Sequence, residues 1–279
     1  MGRLAFFPTP YQDEVLYSVL CRYHIRSGNP GVNTTVKELW EQKGVAKSLY
    51  LPTDLNRITD RMPDDTGITL EKLIWKHTMY PYVQPSLPIQ RARRLIAMLR
   101  GEEPQHRHSY QIAGLLGRRL PVPSYLRFCP RCVKDDTKRY GEAYWHRLHQ
   151  LPGVMVCPIH RERIRDSWFS VHTIFRYFHP ADETLCLDMP NMQPWSEEMA
   201  DKHLDFARDC AWTLEHGAQF VGMDDLMAKH LRFMQIRGYR GHATQAAECD
   251  YRKLNRDIQA FYGEEFLTSL NAYDQDAYF

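Results

Sequence analysis

No apolar run in this chain approaches the roughly 18 uninterrupted residues that a membrane-spanning helix requires, so no membrane partner is expected. The opening MGRLAFFPTPYQDE breaks its short apolar run at Pro8 and Pro10 and lacks the apolar core of a secretory signal, which points to a cytoplasmic protein. Also missing are a Gly-x4-Gly-Lys-Ser/Thr phosphate loop, a His-Glu-x-x-His helix and a Gly-x-Ser-x-Gly elbow. Their absence removes the nucleotide-loop, zincin and serine-hydrolase signatures, and no trio of carboxylates stands out to suggest a metal-dependent nuclease. The expectation is a protein without catalytic residues. No repeat or low-complexity tract is visible. Seven cysteines, an odd number in a chain read as cytoplasmic, do not form a disulfide framework.

What is present is an uneven charge distribution and one metal-like motif. The net charge of +2 conceals a basic middle, with 16 Lys/Arg against 6 Asp/Glu over residues 91–165, and an acidic end, with 9 against 18 over residues 181–279. A polyanion would meet the first and a different partner or solvent the second. The pattern divides into a helical segment over 1–88 that could hold a helix-turn-helix, a basic zinc-binding module over 89–180, and an acidic helical region over 181–279.

The expected fold is mainly α. Val15, Leu16, Val19, Leu20 and Tyr23 recur at helical spacing, with Asp13 and Glu14 ahead of them and Gly28 behind. Thr35 and Glu38 read as a capping box opening a second helix, Thr53 precedes a third, and Thr69 opens a fourth that Pro81 terminates. Proline-rich YPYVQPSLP leads into RARRLIAMLR. Its Arg91, Arg93 and Arg94, with Arg118, Arg119 and Arg127 beyond, are candidate contacts to DNA phosphates, with a solvated helix face as the alternative. Later helices are expected over WSEEMADKHLDFARDCAWTLEHG, MDDLMAKHLRFMQIRGYRG and TQAAECDYRKLNRDIQAFYGEEFLTSL, with Gly217 and Gly238 as C-caps. Short strands are expected around the cysteine motifs, with VMVC and WFSVHTIFRYF as pairing segments.

The motif is CPRC at 129–132 followed by CPIH at 157–160. Two Cys-x2-Cys/His knuckles suit one tetrahedral zinc ion bound by Cys129, Cys132, Cys157 and His160. Pro130 and Pro158 stiffen the knuckles by fixing φ. Four protein donors leave no open position, so the ion would be structural. His146 and His149 lie between the pairs as competing donors or polar interior residues; His172, His179 and Cys186 are weaker candidates for a second site. Cys21, Cys210 and Cys249 sit among apolar neighbours and are expected in the core.

Four segments, FFPTPYQDEVLYSVLCRYHIRSG at 6–28, HTMYPY at 77–82, FCPRC at 128–132 and RYGEAYWHRLHQLPGVMVCPIH at 139–160, resemble in order the TniQ/TnsD family of transposon target-selection proteins. Past residue 195 the likeness is looser, in FARDCAWTLE and FYGEEFLTSL. The resemblance implies a non-catalytic protein of DNA transposition that marks a target site and hands it to the AAA+ ATPase TnsC, which recruits the transposase. CRISPR-associated relatives attach to a guide-RNA effector complex. TnsD-like members extend further, so the chain is either a short TniQ-like protein or an amino-terminal part of a longer TnsD. The alternatives are a sequence-specific DNA-binding protein acting without TnsC, and a metal-dependent nuclease.

Overall fold

The computed structural model describes residues 2–41, 48–103, 109–114, 122–174, 176–182, 186, 195–219, 223–239 and 250–272. Its amino-terminal half is a set of short helices: α1 (Leu16–Ser27), α2 (Val32–Trp40), α3 (Leu55–Thr59), α4 (Leu70–His77), α5 (Tyr80–Val83), α6 (Ile89–Arg100) and α7 (Ser109–Ile112). β1 (Tyr125–Phe128), α8 (Pro130–Tyr140) and β2 (Arg165–Ser170) form the middle. The chain then runs through α9 (Glu197–His216), α10 (Met223–Ile236), α11 (Tyr251–Tyr262) and α12 (Glu264–Ser269). This is the expected mainly α architecture with short strands flanking the cysteine–histidine motif.

Local chemistry accounts for most boundaries. α1 ends where Gly28, at φ +65°, returns its N–H to Ile25. Thr69 caps α4 by accepting from Lys72 N at 3.1 Å, and Ser196 caps α9 by accepting from Met199 N. Four boundaries differ from the sequence reading. α4 ends at His77 with Thr78 as its C-cap, and Pro81 lies in the first turn of α5 rather than ending α4. α1 starts at Leu16, because Asp13 takes a left-handed φ of 56° and both acidic side chains bind elsewhere. α2 starts at Val32 after Gly31, and Thr35 is buried inside it, accepting from Asn29 Nδ2 while Glu38 also binds Asn29. The last predicted helix breaks at Gly263, whose φ of +78° separates α11 from α12.

The sheet also differs in partner. Residues 165–170 pair antiparallel with Tyr125–Phe128, matching Tyr125 to Ser170 and Arg127 to Asp166 across an irregularity. VMVC contributes only a bridge from Val156 to Arg163. One continuous core extends from Leu4 to Leu214 and includes Trp40, Leu73, Leu95, Trp145 and Cys210. Each such side chain contributes on the order of 1.5–3 kcal/mol by leaving water. Cys21 is buried in this core as expected, and Cys249 lies outside the described residues. A satellite cluster of Phe266, Leu267 and Leu270 packs on Phe206 of α9. Among the described residues no helix is long and apolar enough to cross a membrane.

Candidate metal centre

β1 delivers Cys129 to the start of α8, where it is the N-cap; Pro130 occupies the first helical position and Cys132 the first turn. The second knuckle is a tight turn closed by Cys157 N to Glu162 O at 2.8 Å and Arg161 N to Cys157 O at 2.8 Å, with Arg161 at a left-handed φ of 55°. The two turns bring Cys129, Cys132, Cys157 and His160 together, all four donor atoms lying within 4.8 Å of one another. His160 Nδ1 is 3.5 Å from Cys129 Sγ, 3.3 Å from Cys132 Sγ and 3.7 Å from Cys157 Sγ, and Cys132 and Cys157 sulfurs are 3.7 Å apart. Tetrahedral geometry with metal–sulfur bonds of about 2.3 Å and metal–nitrogen bonds of about 2.0–2.1 Å requires S···N near 3.6 Å and S···S near 3.8 Å. The donors therefore fit the edges of such a tetrahedron, and the cluster could hold a metal ion.

The surroundings suit that use. His160 donates from Nε2 to Asp135 at 2.9 Å, the outer carboxylate that fixes a ligand imidazole and presents Nδ1 inward. The Cys157 thiol is held far below its ordinary range by hydrogen bonds from the Cys129 and Cys132 side chains, while Cys132 is pushed far above it. In the metal-free cluster a thiolate is thus favoured at Cys157, and the crowding that keeps Cys132 protonated is what a dication would relieve.

A second donor group shares Cys132 and adds His146 and His149. Residues 148–150 between the two knuckles form a single 3-10 turn. His146 binds Asp136 at 2.8 Å; burial alone would lower its pKa, but that bond and the Asp13 charge raise it. His149 is fully buried and held neutral, its pKa pushed down to about 3 by burial and by His146. His172, His179 and Cys186 do not come together as a donor group among the described residues.

The candidate phosphate-binding arginines separate. Arg91, Arg93 and Arg94 are exposed on α6, with Arg94 paired to Glu103 at 3.2 Å. Arg118 and Arg119 lie outside the described residues. Arg127 is 6% exposed, with Nη1 donating to Val154 O at 2.9 Å and Nη2 to Leu151 O. Its assignment as a surface phosphate contact is corrected: the guanidinium ties β1 to the loop before the second knuckle.

Sequence reasoning missed a buried ionic network joining α1 to the segment before that knuckle. Arg22 donates to Glu14 at 2.8 Å and Glu142 at 2.7 Å while its guanidinium stacks 3.8 Å from the Tyr11 ring centre. Arg147 donates to Asp13 and to the carbonyls of Trp75 and Thr78. His77 Nδ1 lies 2.7 Å from the Glu14 carbonyl oxygen. Three of the four family-like segments, 6–28, 77–82 and 139–160, meet here; their co-occurrence was the available signal.

A family model described as TniQ matches residues 5–164, over half of the chain. The chain is also 29% identical over 154 residues to the transposon Tn7 transposition protein TnsD of Escherichia coli, a match covering 55% of this chain and 30% of that relative.

Proposed function

Because this chain belongs to the TniQ family, we propose that it acts in DNA transposition as a non-catalytic target-selection protein that links a target site to the AAA+ regulator TnsC. The observation that carries the reading is that the matched region, residues 5–164, encloses both knuckles and the ionic network that docks them on α1. In this chain the matched region is one built unit. In this reading the ion at Cys129, Cys132, Cys157 and His160 is zinc, since three thiolates and one imidazole in a closed tetrahedron suit that metal and leave no position for an activated water. Zinc supplies rigidity there. The protein's own residues hold the surface: Asp135 orients His160, Arg127 ties β1 to the loop before the second knuckle, and Arg147 ties the segment ahead of that loop to the end of α4.

Contact with target DNA in this reading is mainly to the phosphate backbone, and specific recognition is spent on TnsC. Attachment to a CRISPR guide-RNA effector complex is the route by which such a protein would reach a site that it does not itself read. The test is recruitment: purified chain, TnsC and ATP, with and without duplex DNA. TnsC retained by the chain supports the link; a folded, metal-loaded chain that retains no TnsC under either condition contradicts it.

A further inference from the structure

α8 carries four cations, Arg131, Lys134, Lys138 and Arg139, and all four are exposed. None has a carboxylate partner among the described residues. Of the two acidic residues of the same helix, Asp136 faces the interior and is held by His146, while Asp135, exposed one turn after Arg131 at the flank of the stripe, is engaged by His160. Steps of three and four residues keep Arg131, Lys134 and Lys138 on one stripe, which at about 1.5 Å per residue runs for about 10 Å. Cys132, Val133 and Asp136 face the interior instead.

The metal cluster fixes which way this stripe points. Cys129 is the N-cap of α8, Cys132 lies in its first turn, and the Asp135 carboxylate one turn later holds His160. The helix cannot roll without breaking the cluster, so its charges are displayed with little ordering left to do on binding. The other arginine-rich helix, α6, is less suited: Arg94 is paired to Glu103 and Arg100 to Glu71.

We infer that the Arg131, Lys134 and Lys138 stripe, with Arg139 beside it, is the face that this protein lays against the phosphates of duplex DNA. The inference deepens the target-selection reading and rests on it for the identity of the polyanion. A stripe of about 10 Å spans about three phosphates of one strand at roughly 3.4 Å each along the duplex axis. Recognition of single strands would require aromatic platforms, and the aromatic at this end of α8, Tyr140, is already stacked on Tyr11 with ring centres 4.2 Å apart. Lysines as point charges contact phosphates without reading bases, so the binding is insensitive to sequence.

The test uses the full chain with its metal and two unrelated labelled duplexes, with affinity followed from about 50 to 200 mM salt. The expected wild-type result is similar affinity for both duplexes and a steep salt dependence. The variant Arg131→Gln/Lys134→Gln/Lys138→Gln should flatten the slope of log affinity against log salt by about 2.7, that is about 0.9 for each phosphate no longer neutralised, with metal content unchanged. Lys134→Glu/Lys138→Glu, which leaves the turn holding the ligands alone, should weaken binding further. An unchanged slope in a metal-loaded variant would overturn the inference. So would tighter binding to single-stranded RNA, or a loss produced by Arg91→Gln/Arg93→Gln/Arg94→Gln and not by the α8 variants. A wild-type chain that recruits TnsC but binds no DNA overturns this inference and leaves recruitment standing; DNA binding with the expected slope and no recruitment does the reverse.

Discussion

The side chains that decide this structure are few and mostly buried. Glu14 is fully buried, and burial raises its pKa while the Arg22 charge opposes the rise. Arg22→Met would leave that carboxylate without its counter-charge, a loss on the order of 3–5 kcal/mol at neutral pH. Without Arg22 the Glu14 pKa climbs further, so the penalty shrinks as the pH falls and the carboxyl takes up a proton. Urea unfolding of both proteins at pH 7 and pH 5 checks this; an equal penalty at both values would contradict it. His77 gives the opposite sign. Burial lowers its pKa to about 4 from an unfolded value of about 6.5. Its contribution is therefore fully present above pH 6.5 and is lost as the pH falls toward 4, where the unfolded chain binds the extra proton. His77→Asn keeps a donor for the Glu14 carbonyl and cannot titrate, so its stability should fall less steeply between pH 6.5 and 4 than that of the wild type.

Single residues were legible in the sequence only where spacing constrains chemistry. The four-donor motif could be read from CPRC and CPIH because two short knuckles have few other uses. Arg127 could not, because a basic residue in a basic stretch gives no sign that its donors go to Val154 and Leu151 carbonyls.

At the level of elements, helix existence followed from periodicity and helix limits did not. Thr35 and Glu38 have capping-box spacing, yet both side chains bind Asn29 and the helix begins earlier, after Gly31. Gly217 stands where a left-handed cap is expected; its φ is −53°, and its role is close approach, since an added Cβ would collide with the Pro81 backbone where α9 meets α5. Gly217→Ala should accordingly destabilise by about 1–3 kcal/mol through overpacking, measured by thermal unfolding, whereas Gly141→Ala meets open space and is limited to the strain of its φ of +79°. A smaller loss at Gly217 than at Gly141 would show that the α5–α9 contact yields easily. The basic stripe of α8 is hidden in the sequence for a related reason. Its cations are interleaved with Asp135 and Asp136, and only the fold shows both acids engaged elsewhere.

Over the whole molecule the metal cluster and the helical half are one construction. Cys129, Cys132 and Cys157 belong to the same core as Trp40, Leu73 and Trp145, and the Arg22 and Arg147 bonds cross between the first helix and the second knuckle's approach. Chelating an ion held by this cluster should therefore lower the unfolding temperature of the entire cooperative unit. An early melting step confined to the knuckles would be inconsistent with a shared core. The same coupling made the overall class readable from composition and periodicity while hiding the strand pairing, which depends on how distant segments close around the cluster.

The most direct measurement is metal content by elemental analysis of the purified chain beside its Cys129→Ser and Cys157→Ser variants. The predicted result is one zinc per wild-type chain and a sharp loss in both variants, accompanied by lower stability. A metal-free wild-type chain that is fully folded, or variants that keep both their zinc and their stability, would contradict the account.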